Sequence, residues 1–207
     1  MNNVIINGSL EQPAFIFAHG AGAGMEHPFM EFIAQYLEKK GICVIRFDFP
    51  YMIKQKELNK RRPPDRSPKL LEAYEAVIEK YARPDGIVIG GKSMGGRMAS
   101  LLEDNKQVKA VACLGFPFHP PGKPENFKGK HLEMFRKKGL ILQGERDTFG
   151  NRKELELMSL SDQITVRFLK DGDHSFKPRK ASGLSEEQNL SEAAEMLATF
   201  ILEAYRA

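Results

Sequence analysis

Gly86-Ile-Val-Ile-Gly-Gly-Lys-Ser-Met-Gly-Gly96 is the stretch that decides the fold. A short β-branched run, Ile87 to Ile89, ends in glycines, and Ser93 stands between Gly91 and Gly95 just before a helical pattern starting near Met94. Gly-x-Ser-x-Gly at a strand-to-helix turn predicts a nucleophile elbow, which holds a serine hydroxyl out above a sheet. The flanking glycines belong to that reading, because a turn so tight leaves no room for larger side chains. The same letters also satisfy the phosphate-loop pattern G-x4-G-K-S over Gly86–Ser93. That alternative needs the spacer to be a loop of amides aimed at phosphate, preceded by a strand. Here the spacer is the apolar strand itself, and Arg83-Pro84-Asp85 before it makes a poor one. Nucleotide binding is the minor alternative.

Outward from the elbow the chain repeats one kind of unit: a β-branched run, a glycine-bearing turn, a helical stretch. Strands are expected at Val4–Asn7, Ala14–Ala18, Ile42–Phe47, Gly86–Gly90, Val108–Leu114, Leu140–Gln143 and Ile164–Leu169. Phe29, Phe32, Ile33, Tyr36 and Leu37 share one helical face, closed by Lys39-Lys40-Gly41. Ser67-Pro68 reads as an N-cap with proline behind it, opening a helix whose stripe is Leu70, Leu71, Tyr74, Val77, Ile78 and Tyr81. A last helix starts near Ser185, where Ser185 and Gln188 fit a capping box. Strands apolar on both sides and alternating with helices imply a mostly parallel, twisted sheet of seven or eight strands, with helices on both faces. One domain over residues 1–207 is expected, since the length is ample for a single core and short for two.

Composition narrows the classes further. The longest apolar runs, Ala14–Ala18 and Ala110–Leu114, fall far short of the ~20 residues of a membrane helix. The amino-terminal MNNVIINGSLEQP lacks the basic and long apolar parts of a signal peptide. Cys43 and Cys113 lie inside β-branched runs and read as buried free thiols, so a cytoplasmic location is expected. The net charge is +4, and most of the excess lies in residues 51–69. Lys54, Lys56, Lys60, Arg61, Arg62, Arg66 and Lys69 stand there against only Glu57 and Asp65. The segment reads as a solvated surface loop, with a role in steering anions or docking on a polyanion as the rival. No nucleic-acid module signature accompanies it, so a nucleic-acid partner is not expected.

A serine hydroxyl is a weak nucleophile until a base takes its proton. In open parallel sheets the functional groups gather beyond the carboxyl ends of the strands. His174, in Asp171-Gly-Asp-His-Ser-Phe176, directly follows the last strand. Asp147 follows the strand Leu140–Gln143 through Gly144-Glu145-Arg146, and it is placed to orient a histidine. Asp171 and Asp173 read as turn formers, and His27 and His131 as surface or packing residues. The order Ser93, Asp147, His174 is nucleophile, acid, base, which marks one fold among the several that host this triad.

With His19-Gly-Ala-Gly22, the Ser93 elbow, Gly144-Glu-Arg-Asp147 and Asp173-His174 as anchors, the whole chain resembles a small α/β-hydrolase. It is similar to dienelactone-hydrolase-like enzymes and to the branch with testis-expressed and NSL-complex-subunit relatives. The resemblance implies an α/β-hydrolase fold and a serine esterase working through an acyl-enzyme on a small-molecule acyl substrate. It also implies an oxyanion hole from the Ala21 and Met94 N–H groups, with His19 a structural part of its loop. Dienelactone hydrolases proper carry a cysteine nucleophile, so Ser93 argues against their lactone. The chain has little room for a cap; only 51–69 and the segment from His119 could cover a site. Phe49, Tyr51, Phe116, Phe118 and His119 follow strands and are candidates for lining the substrate pocket, with core packing the alternative. No clustered ligand set suggests a metal, and no cofactor is expected. A hydrolase fold kept as a binding module, using the basic segment, is the rival from another class.

Overall fold

The computed structural model describes residues 4–206; Met1–Asn3, where the amino-terminal reading begins, and Ala207 lie outside the described residues. Seven strands form one sheet among them: β1 (Val4–Asn7), β2 (Ala14–Ala18), β3 (Cys43–Phe47), β4 (Ile87–Lys92), β5 (Val108–Leu114), β6 (Lys138–Gly144) and β7 (Ile164–Leu169). Their order is β1-β3-β2-β4-β5-β6-β7, with β1 antiparallel to β3 and every other pairing parallel. The helices are α1 (Pro28–Lys39), α2 (Pro50–Leu58), α3 (Ser67–Tyr81), α4 (Met94–Ser100), α5 (Arg152–Leu155) and α6 (Glu186–Arg206).

Alternation of side chains along buried parallel strands divides the core in two. One face buries Ile16, Ile45 and Ile89 with Leu70, Tyr74 and Val77 of α3 and Met98 of α4. The other buries Phe15, Phe17 and Val88 with Ile33 and Leu37 of α1 and Leu197 and Ile201 of α6. β2, β4 and β5 are apolar on both sides for this reason, whereas β7, at the edge, alternates half-buried and exposed residues. Strand order reverses between β2 and β4. The strands stay paired to their carboxyl ends, but the chain leaves β2 for one face and β4 for the other, which leaves a crevice, the usual place for a ligand in such sheets.

Helix ends largely follow the sequence. Ser185 Oγ accepts from the Gln188 amide while Gln188 Oε1 accepts from the Ser185 amide, closing the expected capping box. Two local readings need correction. Ser67 is the first residue of α3 rather than its cap; Arg66 takes the cap position without a side-chain bond, and Pro68 comes second. The basic segment is not a loop throughout. It is helical to Leu58 as α2, ends in a left-handed Asn59, and is irregular only over 59–66. Tyr51 and Met52 of α2 pack into the core, and burial of those two side chains holds the helix down.

Candidate active site

The elbow is built by exclusion. Ser93 follows β4 with φ 52° and ψ −117°, an uncommon conformation for a side-chain-bearing residue. A Cβ on Gly91 would come 2.5 Å from the Gly95 carbonyl carbon, and one on Gly95 would come 2.4 Å from the Ala18 carbonyl oxygen. Both glycines are thus sterically required. β4 occupies the spacer of the phosphate-loop pattern, which removes the nucleotide-binding alternative.

Three loops beyond strand ends meet at Ser93. The turn after β7 brings His174 Nε2 to 2.8 Å from Ser93 Oγ. On the opposite ring edge His174 Nδ1 lies 2.8 Å from Oδ2 of Asp147, from the loop after β6. A carboxylate there only accepts, so Nδ1 carries the proton and Nε2 is left to accept from the serine hydroxyl. Asp147 is fully buried, and protein donors meet its side-chain oxygens. Besides His174, it accepts from Gln143 Nε2 at 2.8 Å and from the Phe149 amide at 2.8 Å. Among the candidate acids, Asp147 alone meets the histidine. Asp171 is instead paired with Arg179, whose hydrogen bonds pull its carboxyl down to about 2. Asp173 caps its own turn through the Ser175 and Lys177 amides.

The loop after β2 completes the crevice. His19 is fully buried; its Nε2 accepts from the Phe49 amide at 3.0 Å, so its Nδ1–H donates to the Gly20 carbonyl at 2.7 Å. Burial lowers its pKa, and a neutral ring with both nitrogens occupied holds the loop rather than moving protons. The Tyr51 hydroxyl reaches the Gly20 and Ala21 carbonyls at 3.2 and 3.0 Å. Asp48 Oδ1 accepts from the Met25 amide, Arg46 donates to the Met25 carbonyl, and Lys56 pairs with Asp48 at 2.6 Å. With its carbonyls and far end tied down, the loop leaves the Ala21 N–H without an acceptor among the described residues. The Met94 N–H, at the first residue of α4, also has none.

A cavity of about 420 Å³ opens over Ser93 and His174, lined by Gly20 to Ala23, His27, Met30, Lys92, Phe149 and Ser175. Ala21 is among the residues that line it. Of the aromatic candidates, Phe49, Phe116 and Phe118 are 0 % exposed, Tyr51 is 1 %, and none lines the cavity. Their rings pack on Phe47, Tyr74, Phe127 and one another beneath the strand ends, because burial rewards these large side chains more than a wet site would. His119 is likewise 4 % exposed, held by the Pro120 carbonyl and Glu154, and does not face the cavity. Neither 51–69 nor the segment from His119 contributes to its lining, and no obvious cap covers it.

Sequence reasoning missed three residues. Phe149 packs against the His174 ring at 4.2 Å between centroids, the two planes tilted by 32°. His27 caps α1 and lines the cavity, although it read as a bystander. Gln143 grips Asp147 and both backbone groups of Phe116; an amide at the end of a buried apolar strand was the available signal. Among the described residues no group of three or more His, Cys, Asp or Glu could hold a metal ion, and no helix is long and apolar enough to cross a membrane. Cys43 and Cys113 are free and buried, and burial pushes the Cys113 thiol up to about 12.

A family model described as an alpha/beta hydrolase domain matches residues 11–202. Among solved structures, Est1E from Butyrivibrio proteoclasticus with ferulic acid bound superposes with a TM-score of 0.73 at 16% identity, covering 100% of this chain and 96% of that one. An alpha-beta serine hydrolase homologue from Coxiella burnetii gives 0.70 at 19% identity, over 95% and 89%. A dienelactone hydrolase from Anabaena variabilis gives 0.67 at 18% identity, over 98% and 90%.

Proposed function

Since the chain belongs to the alpha/beta hydrolase domain family, we propose that it is a serine acyl hydrolase that cleaves small carboxylic esters through a covalent Ser93 ester. The carrying observation is the unbroken chain of 2.8 Å contacts from Ser93 Oγ through His174 to Asp147. In this reading Ser93 Oγ attacks the ester carbonyl carbon while His174 Nε2 takes the hydroxyl proton. The carbonyl oxygen becomes an oxyanion between the Ala21 and Met94 N–H groups, each donor contributing on the order of 3 kcal/mol to the transition state. Asp147 holds the imidazolium in place. On collapse the C–O bond to the alcohol breaks, and the leaving oxygen takes the proton from His174. Water then repeats the sequence on the acyl-enzyme, with His174 again as base, and releases the carboxylic acid and free Ser93.

Met30, Phe149 and the alanines at positions 21 and 23 give the cavity apolar walls, and its volume suits a short acyl or aryl group. The test is reaction with a fluorophosphonate probe and turnover of p-nitrophenyl esters of rising acyl length. Labelling and short-chain turnover should be present in the wild type and absent in Ser93→Ala. A folded wild type inert to the probe and to every ester would refute the proposal.

A further inference from the structure

We infer that Lys92 is a positioning residue: its ammonium staples the residue before the nucleophile to the main chain of His174, holding the base's turn over the elbow. The consequence for catalysis rests on the acyl-hydrolase reading above, whereas the staple concerns local structure alone.

Lys92 ends β4 and is 8 % exposed. Its Nζ donates to the His174 carbonyl, which accepts from no other described group. The Phe29 and Phe176 rings lie 5.5 and 6.0 Å from the nitrogen, with 5.6 Å between their own centroids. No described carboxylate is within ion-pairing distance; Asp147 and Asp173 are the acidic groups that bear on it through space. Gly115, the residue after β5, with φ +64°, completes the arrangement. A Cβ there would stand 2.8 Å from both the His174 carbonyl oxygen and Lys92 Nζ. The ends of β4, β5 and β7 interlock around one ammonium.

A buried ammonium with a single acceptor is a costly choice where methionine would fill the same space. What the charge adds is a strong bond to the peptide of the base. The other side of that turn is held independently, by Asn189 Nδ2 on the Phe176 carbonyl at 2.8 Å. Without Lys92 the turn keeps that outer anchor, its internal Asp173 bonds and the Asp147 bond to the His174 ring, but it loses the one bond that ties the peptide of His174 to the elbow. Burial lowers the Lys92 pKa to about 8, against the pull of Asp147 and Asp173. The charged staple is thus present at neutral pH and weakens as pH rises through about 8.

Two variants test this, Lys92→Met and Lys92→Gln, the second retaining a donor. The readouts are the rate of Ser93 labelling by a fluorophosphonate across pH and amide exchange over residues 173–176. Lys92→Met should label roughly 10- to 100-fold more slowly and exchange faster over the turn. The wild-type rate should decline above about pH 8, a step that Lys92→Met lacks, with Lys92→Gln intermediate. A Lys92→Met protein with wild-type labelling, pH profile and exchange would overturn the staple and leave the hydrolase reading standing. If the wild type ignores probe and esters, the hydrolase reading falls; the exchange data then decide the staple, faster exchange supporting it and unchanged exchange overturning it. Should Lys92→Met not fold, Lys92→Gln answers alone: wild-type rate, pH profile and exchange would overturn the staple.

Discussion

Two strand-to-helix turns, after β4 and after β3, stand on either side of β2, and they are built on opposite plans. The turn from β4 into α4 is made by exclusion: Gly91 and Gly95 are required because a Cβ at either would come within 2.6 Å of main-chain atoms. The turn from β3 into α2 is made by attachment. Its contribution is the Tyr51 hydroxyl on the Gly20 and Ala21 carbonyls and the Asp48 carboxylate on the Met25 amide. A steric requirement writes itself into neighbouring letters, because backbone crowding dictates residue type within a few positions. A support that acts through one hydroxyl across some thirty residues leaves no local pattern.

The largest effect expected is at the product of the first turn. Ser93→Ala should remove probe labelling altogether and lower ester turnover by roughly 10⁵-fold or more, with the melting temperature preserved. Asp147→Asn should lower turnover by about 10⁴-fold, because the amide no longer selects the Nδ1–H tautomer of His174. Wild-type-like turnover in either would separate the geometry from the chemistry. Next in size is the elbow's crowding. Gly95→Ala pushes a methyl to 2.4 Å from the Ala18 carbonyl oxygen, and it should cost roughly 3 kcal/mol of stability. Urea unfolding measures it, and a variant as stable as wild type would show that the turn is looser than its contacts imply.

The same contrast explains what could be read in advance. Strands, the α1 and α6 faces, and the Ser93–Asp147–His174 order were legible, because period and position relative to strand ends carry them. α2 was not. Only its first turn reaches the core, through Tyr51 and Met52, so the rest of Pro50–Leu58 shows no apolar stripe and its lysines suggest a loop. Phe49, Phe116 and Phe118 stand at the same kind of strand end as His174, and chain position cannot tell a ring turned downward from one turned into the cavity. The reverse holds at Phe149 and His27, which line the cavity from loops without any periodic signal.

The attached turn predicts a smaller, different response. Tyr51→Phe keeps the ring in the core and removes only the bond to the oxyanion-side loop. It should cost about 1 kcal/mol in stability and lower kcat several-fold with little change in KM, since in the proposed mechanism the Ala21 N–H serves the transition state rather than the bound ester. If KM rises instead and kcat holds, the loop shapes substrate binding and the two turns divide the work differently.

The smallest effect should come from the far end of the same segment. Lys56 is bound to Asp48 and Glu26, and Lys69 to Asp65 at 3.0 Å, so these two cations belong to the scaffold. Lys54, Lys60, Arg61, Arg62 and Arg66 are exposed and form no ion pair among the described residues. Charges so placed stabilise nothing they touch; they act only through the field they cast over the surface, which salt screens within about 10 Å. Arg61, Arg62 and Arg66 changed together to Gln should therefore shift stability by less than about 0.5 kcal/mol and leave turnover of the neutral ester p-nitrophenyl acetate unchanged. An ester bearing a carboxylate should lose part of its kcat/KM in that variant at low ionic strength, with the loss vanishing in high salt. Equal losses for neutral and anionic esters would place the segment in the support of the loop, beside Tyr51. Salt-sensitive retention on heparin that the triple variant loses, in a protein without Ser93-dependent turnover, would instead favour the binding module over the enzyme.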